Sequence, residues 1–238
     1  MTTATSSRHI IALGGCGLAP EPQNLLLYHY ILGQARSERP AVLYVPTASG
    51  EAQPNIVQFY ATFTRLPCQP AHLSLFMLPT ADLRAFVLGQ DVVYVGGGNT
   101  KSMLALWREW GLDSILREAW EGGTVLAGVS AGAICWFQEG ITDSIPGPLT
   151  PLNCLGYVKG SCCPHYDSEP VRRPTYSRMV AEGRLTAGYA ADDHAGLHFI
   201  GDELASVVSG RAQARAYRVE KADGGASEVA LETRFLGA

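Results

Sequence analysis

The amino-acid sequence predicts an α/β protein whose mostly parallel sheet carries helices on both faces. Up to about residue 130, short apolar runs alternate with amphipathic segments of helical length. Most of these runs are apolar throughout, a pattern typical of strands that are buried on both faces of a sheet. From residue 141 the pattern changes: a Pro-rich loop at 143–151 is followed by short apolar runs separated by turns, which predict an antiparallel C-terminal edge on the same sheet.

The predicted elements alternate regularly in the first half of the chain. Strands are predicted at 9–13, 41–45, 72–77 and 91–95, and from 124 into Gly128. Helices are predicted at 22–35, 56–66, 80–88, 101–110 and 113–121, with Thr80 as the N-cap of the third. Later strands are predicted at 157–163, 185–190, 197–200, 205–208, 214–219 and 229–235, with a helix at 172–182. Because no linker or repeat interrupts the pattern, we expect one domain spanning residues 1–238.

The composition argues against several classes of partner. Hydrophobic residues make up 47% of the 238 residues, and the net charge is -4 without a run of basic residues. Nucleic acids and anionic membranes are therefore poor partners for this chain. The first apolar run, residues 10–13, is too short for a signal peptide or a membrane span, so we expect a cytoplasmic protein. The six cysteines lack C-x-x-C spacing, so we expect reduced thiols rather than disulfides or a metal site.

The segment Gly128-Val129-Ser130-Ala131-Gly132 follows an apolar run and precedes further small residues. This is the G-x-S-x-G pattern of a nucleophile elbow, in which a sharp strand-to-helix turn exposes the serine hydroxyl. The residues two before and two after the serine must be small, because their Cβ atoms would otherwise collide across the turn. Ser130 is therefore the candidate nucleophile, and the Ala131 amide at the helix start can face an oxyanion.

A serine nucleophile needs a base, and the chain contains six histidines. His165 is the best candidate because it follows an apolar run and lies in a loop, where the catalytic edge of the sheet is expected. His194 is the alternative, since it also lies in a loop after a strand-like run. His198 lies inside a predicted strand, where we expect it to be packed.

The acid that orients the base has several candidates. Asp143, Asp167, Asp192 and Asp193 all lie in predicted loops after the elbow, and loop aspartates often only form turns. Asp192 and Asp193 differ from the other two because they separate two apolar stretches. One carboxylate of this pair could therefore be held inside while the other meets water.

A second glycine-rich loop, Gly96-Gly97-Gly98-Asn99-Thr100, follows the strand predicted at 91–95. Right-handed crossovers place this strand beside the elbow strand, or nearly so. The glycines let backbone N–H groups approach a substrate carbonyl, and Asn99 can cap the next helix while presenting its amide to substrate. A simple strand-to-helix turn, with Asn99 only as a cap, is the alternative.

Three segments together resemble peptidase E and its relatives, the serine peptidase family that also contains cyanophycinase. The segments are 94–100, 128–133 and 164–166, and their order and spacing match from about residue 10 to residue 209. The resemblance implies a three-layer, flavodoxin-like fold akin to class I glutamine amidotransferases, with serine replacing cysteine in the elbow. It implies Ser130 as nucleophile, His165 as base, and the amides of Gly98 and Ala131 as the oxyanion hole.

The resemblance also bears on the acid and on the substrate contacts. Asp193 best matches the family position that carries Glu or Asp after a late strand, with Asp192 adjacent. Asp143 resembles a second acidic position of the family, in the Pro-containing loop, and is the runner-up. No metal or other cofactor is implied. Substrate contacts are expected from Gly97, Asn99, Thr100, Tyr166, Arg172 and Arg173.

The substrate preference is left open by departures from the pattern of peptidase E, which cleaves dipeptides and a few tripeptides with N-terminal Asp. Segment 12–20 looks more like a broader branch of the family, and the helix start after His165 is altered to Val171-Arg-Arg-Pro-Thr175. Arg172 or Arg173 could bind a substrate carboxylate, or both could be solvated. We expect a serine peptidase for short peptides, as a monomer or homodimer. The alternatives are a carboxypeptidase, a cyanophycinase-like hydrolase of β-linked peptides, an esterase, and a catalytically silent binding module.

Overall fold

A computed structural model of the chain describes residues 8–15 and 23–238. It confirms the predicted α/β fold with a mostly parallel main sheet. Within the described residues, eight strands form this main sheet and six strands form a second, smaller sheet. The main sheet positions the candidate site, and the second sheet supports one side of it.

Five parallel strands form the centre and one edge of the main sheet, in the order β3-β2-β4-β5-β1. Their bounds are β1 His9–Leu13, β2 Ala41–Val45, β3 Gln69–His72, β4 Val92–Val95 and β5 Val125–Val129. Beyond β1 the sheet continues through β10 (Ala195–Ile200), β11 (Glu203–Ser209) and β14 (Thr233–Phe235). Strand β10 is antiparallel to both β1 and β11, so the predicted antiparallel C-terminal edge is present.

Helices cover both faces of the main sheet, as the apolar strands predict. Their bounds are α1 Leu26–Leu32, α2 Gln53–Phe63, α3 Leu83–Leu88, α4 Thr100–Glu109, α5 Leu112–Gly122, α6 Ala131–Ile134 and α7 Arg172–Ala181. Helices α1 and α2 pack on the face that carries Ile11 and Leu13. Helices α3, α4 and α5 pack on the face that carries Ile10 and Ala12. None of the helices in the described part of the chain is both long and apolar enough to cross a membrane.

The second sheet corrects the prediction that all late strands extend the main sheet. Its order is β13-β12-β9-β8-β6-β7. The bounds are β6 Phe137–Thr142, β7 Thr150–Asn153, β8 Val158–Cys163, β9 Gly188–Ala191, β12 Ala216–Ala222 and β13 Gly225–Ala230. Apolar alternation reports which strand face is buried, but it does not report which distant strand is the pairing partner. Phe137 of β6 and Phe199 of β10 meet at 5.5 Å between ring centroids, so the two sheets share an apolar core. That the chain forms a single domain stays a prediction.

Several predicted boundaries also need correction. Strand β3 ends at His72 instead of beginning there, and the segment that follows is a loop. Asp82, not Thr80, caps α3, because its Oδ1 accepts the Ala85 N–H at 2.9 Å. Segment 143–151 is not all loop, since Pro151 lies in β7, an edge strand that tolerates proline. The predicted start of the helix at 22–35 and all of segment 16–20 lie outside the described residues, as does Cys16, while the five described cysteines are free thiols.

A histidine pair, the buried His198 and the partly buried His9, lies on the main sheet, away from the loop that carries Ser130. Nε2 of His198 is 2.9 Å from Nδ1 of His9, and its Nδ1 is 2.6 Å from the Tyr30 hydroxyl. His198 is buried in β10, as predicted. Burial, and then the charge of His9, lower the pKa of His198 to about 4. The folded protein therefore favours the neutral ring.

Acid should destabilise the protein through His198. The pKa of His198 in the folded protein lies below the ordinary value of 6.5. Its contribution to the free energy of unfolding is therefore complete above pH 6.5 and is lost as the pH falls toward 4. We expect this group to lower the free energy of unfolding by about 2 kcal/mol between pH 7 and pH 5. Urea denaturation at both pH values should show a smaller loss in His198→Gln than in the wild type. The exposed His29 offers a matched control, His29→Gln, and equal losses in all three proteins would contradict the prediction.

Candidate active site

Ser130 occupies the tight turn between β5 and α6 with φ 57° and ψ −113°. This is a strained backbone conformation for a residue with a side chain, of the kind that clusters at functional sites. The turn explains the two flanking glycines of the motif. A Cβ on Gly128 would lie 2.3 Å from the Gly132 carbonyl oxygen, and one on Gly132 would lie 2.3 Å from the Val95 carbonyl oxygen. The G-x-S-x-G spacing is therefore a steric requirement of this turn.

His165 and Asp193 form a hydrogen-bonded pair at the same edge of the sheet. Nδ1 of His165 is 2.8 Å from Oδ1 of Asp193, and both side chains are mostly buried. Burial raises the pKa of Asp193, but the hydrogen bond and charge of His165 oppose it, and the net pKa is lowered. An ionised carboxylate only accepts hydrogen bonds, so Nδ1 of His165 donates and Nε2 is left as the basic nitrogen.

The end of β1 holds Ser130, His165 and Asp193 through three consecutive residues. The Ser130 amide donates to the Leu13 carbonyl at 3.1 Å, and the His165 amide donates to the Gly14 carbonyl at 3.1 Å. The next residue, Gly15, pairs with Asp193 in a single parallel bridge. One strand end therefore fixes the backbone of all three candidate catalytic residues.

Gly15 has no room for a side chain. A Cβ there would lie 1.6 Å from Oδ1 of Asp193 and 2.5 Å from Nδ1 of His165. The contribution of Gly15 was not predicted from the sequence. The available signal was the position of Gly15 just after a buried strand, where a parallel sheet places its ligand site.

The glycine loop after β4 lies beside Ser130, as predicted. Strands β4 and β5 are paired, with Val95 opposite Gly128. A Cβ on Gly97 would lie 3.7 Å from the Ser130 hydroxyl oxygen, so this loop borders the nucleophile. Ala131 is the first residue of α6, and amides in the first turn of a helix lack an acceptor within it.

Asn99 caps α4, as predicted, and its side chain is engaged at both ends. Its Oδ1 accepts the Ser102 N–H at 2.9 Å, and its Nδ2 donates to the Ser144 carbonyl at 2.9 Å. Thr100 is 1% exposed, so its side chain cannot meet a substrate without rearrangement. The expected substrate contact at Thr100 stays a prediction.

The expected substrate contacts after His165 are also engaged within the protein. Tyr166 is buried, and its hydroxyl donates to the carboxylate of Glu228. Arg172 is buried too, and its Nε donates to Glu169 at 2.6 Å. Burial and internal partners hold both side chains within the protein in this structure, and the expected substrate contacts stay predictions. Arg173 is half exposed, but it pairs with Glu228 and lies over the Tyr166 ring.

The alternative acids, Asp192 and Asp143, have other polar neighbours in the structure. Asp192 is buried, and its Oδ2 accepts the Arg215 N–H at 2.9 Å. Burial, opposed by that hydrogen bond, raises its pKa to about 6. Asp143 is exposed, and its nearest cation is Arg172 at 3.9 Å. His194, the alternative base, is 4% exposed. The structure pairs the predicted His165 with the predicted Asp193.

Asp167 contributes to the site in a way that the sequence did not indicate. Its Oδ1 accepts the backbone N–H of Asp193 at 2.8 Å. Both residues follow strand ends of the second sheet, β8 and β9. Asp167 thus ties the loop that carries His165 to the loop that carries Asp193. The pairing of β8 with β9, a nonlocal feature, places the starts of these two loops side by side.

The chain is similar to known peptidases in sequence and in fold. Residues 10–207 match the model of peptidase family S51. An uncharacterized peptidase of Bacillus subtilis (strain 168), YgaJ, is 55% identical over 230 residues, covering 97% of this chain and 100% of the relative. An uncharacterized peptidase of Listeria monocytogenes is 25% identical over 177 residues, covering 68% of this chain and 83% of its own length. The crystal structure of a peptidase from an acI-B1 Actinobacterium shares the fold, with a TM-score of 0.69, 17% identity, and coverage of 97% of this chain and 96% of that one.

Proposed function

The chain belongs to peptidase family S51 and is a serine-type peptidase, and on this premise we propose that Ser130, His165 and Asp193 form a triad that hydrolyses short peptides. The observation that carries the proposal is the end of β1. It binds the backbone of Ser130 and His165 and pairs with Asp193. The hydrogen bond between His165 and Asp193 then orients the ring of the base.

The proposed reaction proceeds through an acyl-enzyme. Nε2 of His165 takes the proton of the Ser130 hydroxyl while Oγ attacks the peptide carbonyl carbon. The amides of Gly98 and Ala131 stabilise the negative charge that develops on the carbonyl oxygen. The protonated ring gives its proton to the departing amine as the C–N bond breaks. Water then attacks the ester, with His165 again as base, and releases the acid and free Ser130.

The proposed substrates are short peptides, and a strict requirement for N-terminal Asp is not part of the proposal. Arg172 is buried and ion-paired with Glu169, and Arg173 is paired with Glu228. Neither guanidinium is therefore free to recognise an acidic substrate side chain. We propose that the enzyme acts in the cytoplasm without a metal or other cofactor.

A hydrolysis panel tests the proposed function. It contains dipeptides with acidic, apolar and small first residues, the same peptides blocked at either end, β-linked aspartyl dipeptides, and short esters. We expect free α-linked dipeptides to be the best substrates, with the Ser130→Ala protein as the blank. If blocked peptides, β-linked peptides or esters are cleaved much faster, the dipeptidase assignment is wrong. Hydrolysis of nothing in the panel by a well-folded protein would favour a binding module.

A further inference from the structure

A cavity of about 630 Å³ lies beside the glycine loop that borders Ser130. Its volume is within the range of about 300–1,000 Å³ that is usual for sites of small ligands. The lining includes Ala48 and Asn99. The Asn99 amide donates to the Ala48 carbonyl at 2.7 Å, and a Cβ on Gly98 would lie 2.2 Å from that carbonyl oxygen. The cavity wall and the proposed oxyanion loop are therefore in direct contact.

The strand order fixes on which side of Ser130 the cavity lies. Along the main sheet the order runs β10-β1-β5-β4-β2-β3. Asp193 precedes β10, Gly14 follows β1, and Ser130 follows β5. The cavity lining instead comes from the loops after β2, β3 and β4 and from α4. His165 and the cavity are thus on opposite sides of Ser130.

This order determines which part of a peptide faces the cavity. The amine that leaves must face His165, because that ring supplies its proton. The residue whose carbonyl is attacked therefore extends to the other side of Ser130. That side leads past the glycine loop to the cavity. This arrangement directs toward the cavity the side chain of the residue on the amino side of the scissile bond.

The lining favours a large apolar side chain. Ala48, Phe76, Ala105 and Leu106 supply apolar surface, and Phe76 is 71% exposed. Sites for small ligands are lined mainly by hydrophobic and aromatic side chains. Among the described residues that line the cavity, the charged one is Glu109, and no Lys, Arg or His is present. An acidic substrate side chain would thus meet a like charge and no cation.

Glu51 holds the rim of the cavity in place. Its backbone is in the left-handed region at φ 57°, and the other non-glycine residues with positive φ in the described chain are Ser130, His165 and His194. The Glu51 carboxylate accepts hydrogen bonds from the Ser74 hydroxyl and from the Leu75 amide. These bonds fix the loop that carries Phe76. A strained residue of this kind is expected where geometry matters for function.

We propose that this cavity binds the side chain of the residue whose carbonyl Ser130 attacks, and that it selects large apolar side chains over acidic ones. The proposal rests on the proposed function, because it uses the direction of attack. It adds the substrate class, namely peptides with Leu- or Phe-like residues on the amino side of the scissile bond. Ala105 and Leu106 on α4 form the wall that sets the size limit.

Filling the cavity tests the proposal. Ala105 is exposed on α4, so Ala105→Trp should fold while occupying the space. We expect the wild type to prefer Leu-Ala to Gly-Ala and to Asp-Ala. Ala105→Trp should lower the ratio of kcat/KM for Leu-Ala to that for Gly-Ala by at least about tenfold, as a lost apolar pocket does. Arg108→Trp, on the same helix outside the lining, is the matched control and should keep the wild-type ratio.

A charge reversal and a binding measurement separate the possible failures. Glu109→Lys should raise kcat/KM for Asp-Ala relative to Leu-Ala, whereas a wild-type preference for Asp-Ala would overturn the proposal. An unchanged Leu-Ala to Gly-Ala ratio in Ala105→Trp would overturn it too, while leaving the proposed function intact. Calorimetry on the Ser130→Ala protein tests the cavity without catalysis. There Leu-Ala should bind more tightly than Asp-Ala and lose affinity with Ala105→Trp, and absence of Leu-Ala binding would contradict the cavity assignment.

Discussion

Replacing Ser130 with alanine is expected to lower kcat/KM for the best dipeptide by at least about a thousandfold, by analogy with the removal of triad members. The hydroxyl is the attacking group in the proposed reaction, and no other hydroxyl lies in the elbow. Folding should be unchanged, because alanine needs no more space than serine in the turn at φ 57°. Steady-state kinetics and thermal unfolding of the same preparation check both statements.

The control for this variant is Ser114→Ala, at an exposed serine of α5. It should keep wild-type kinetics. A serine-directed fluorophosphonate gives a second measurement, since it should label the wild type and Ser114→Ala but not Ser130→Ala. Near wild-type hydrolysis by a folded Ser130→Ala protein would remove Ser130 from the mechanism and, with it, the proposed triad.

The elbow could be predicted from the sequence because its steric requirement is local. Gly128 and Gly132 flank Ser130 within five residues, and each is needed to avoid a backbone carbonyl. Strands β1, β2 and β4 could be predicted for the same reason, since a short apolar run determines its own burial. The neighbouring positions of β4 and β5 followed from the handedness of crossovers.

The parts that could not be predicted depend on contacts between distant residues. Segment 137–163 contributes β6, β7 and β8 to a second sheet, in which β8 pairs with the more distant β9. The burial of Arg172 is also nonlocal, because it reflects packing against the Ile141 carbonyl as well as Glu169. A sequence pattern of two arginines at a helix start does not distinguish a ligand contact from such an internal pair.

The acid of the proposed triad could be predicted from the sequence only in part. From the residues alone, four aspartates remained possible, and the resemblance to peptidase E favoured Asp193. The structure pairs Asp193 with His165. What neither pattern nor resemblance indicated is the support of that pair by Gly15 and Asp167. Residues that act through backbone groups or by lacking a side chain leave little trace in a single sequence.

Gly15→Ala is expected to lower kcat by at least about a hundredfold while the protein still folds. The new methyl group would occupy the position of Oδ1 of Asp193, 1.6 Å away, and would approach Nδ1 of His165. Both atoms belong to side chains, which can move, so the strain is relieved by separating the pair. A base that loses its orienting acid adopts the wrong tautomer or direction, and such losses are large in serine hydrolases.

Two matched glycine variants distinguish this effect from a general loss of stability. Gly122→Ala meets nothing within 4 Å and should keep wild-type kinetics and melting temperature. Gly14→Ala meets the backbone carbonyl oxygens of Asp192 and Ala191 at 2.3 and 2.4 Å. Backbone atoms cannot give way as side chains do, so Gly14→Ala should lower the melting temperature much more than Gly15→Ala.

A double-mutant cycle identifies the route by which Gly15 acts. If Gly15→Ala works by separating His165 from Asp193, it should cost little further activity in the Asp193→Asn background, because the pair is already impaired there. Additive losses in the cycle would show that Gly15 does not act through the His165 and Asp193 pair.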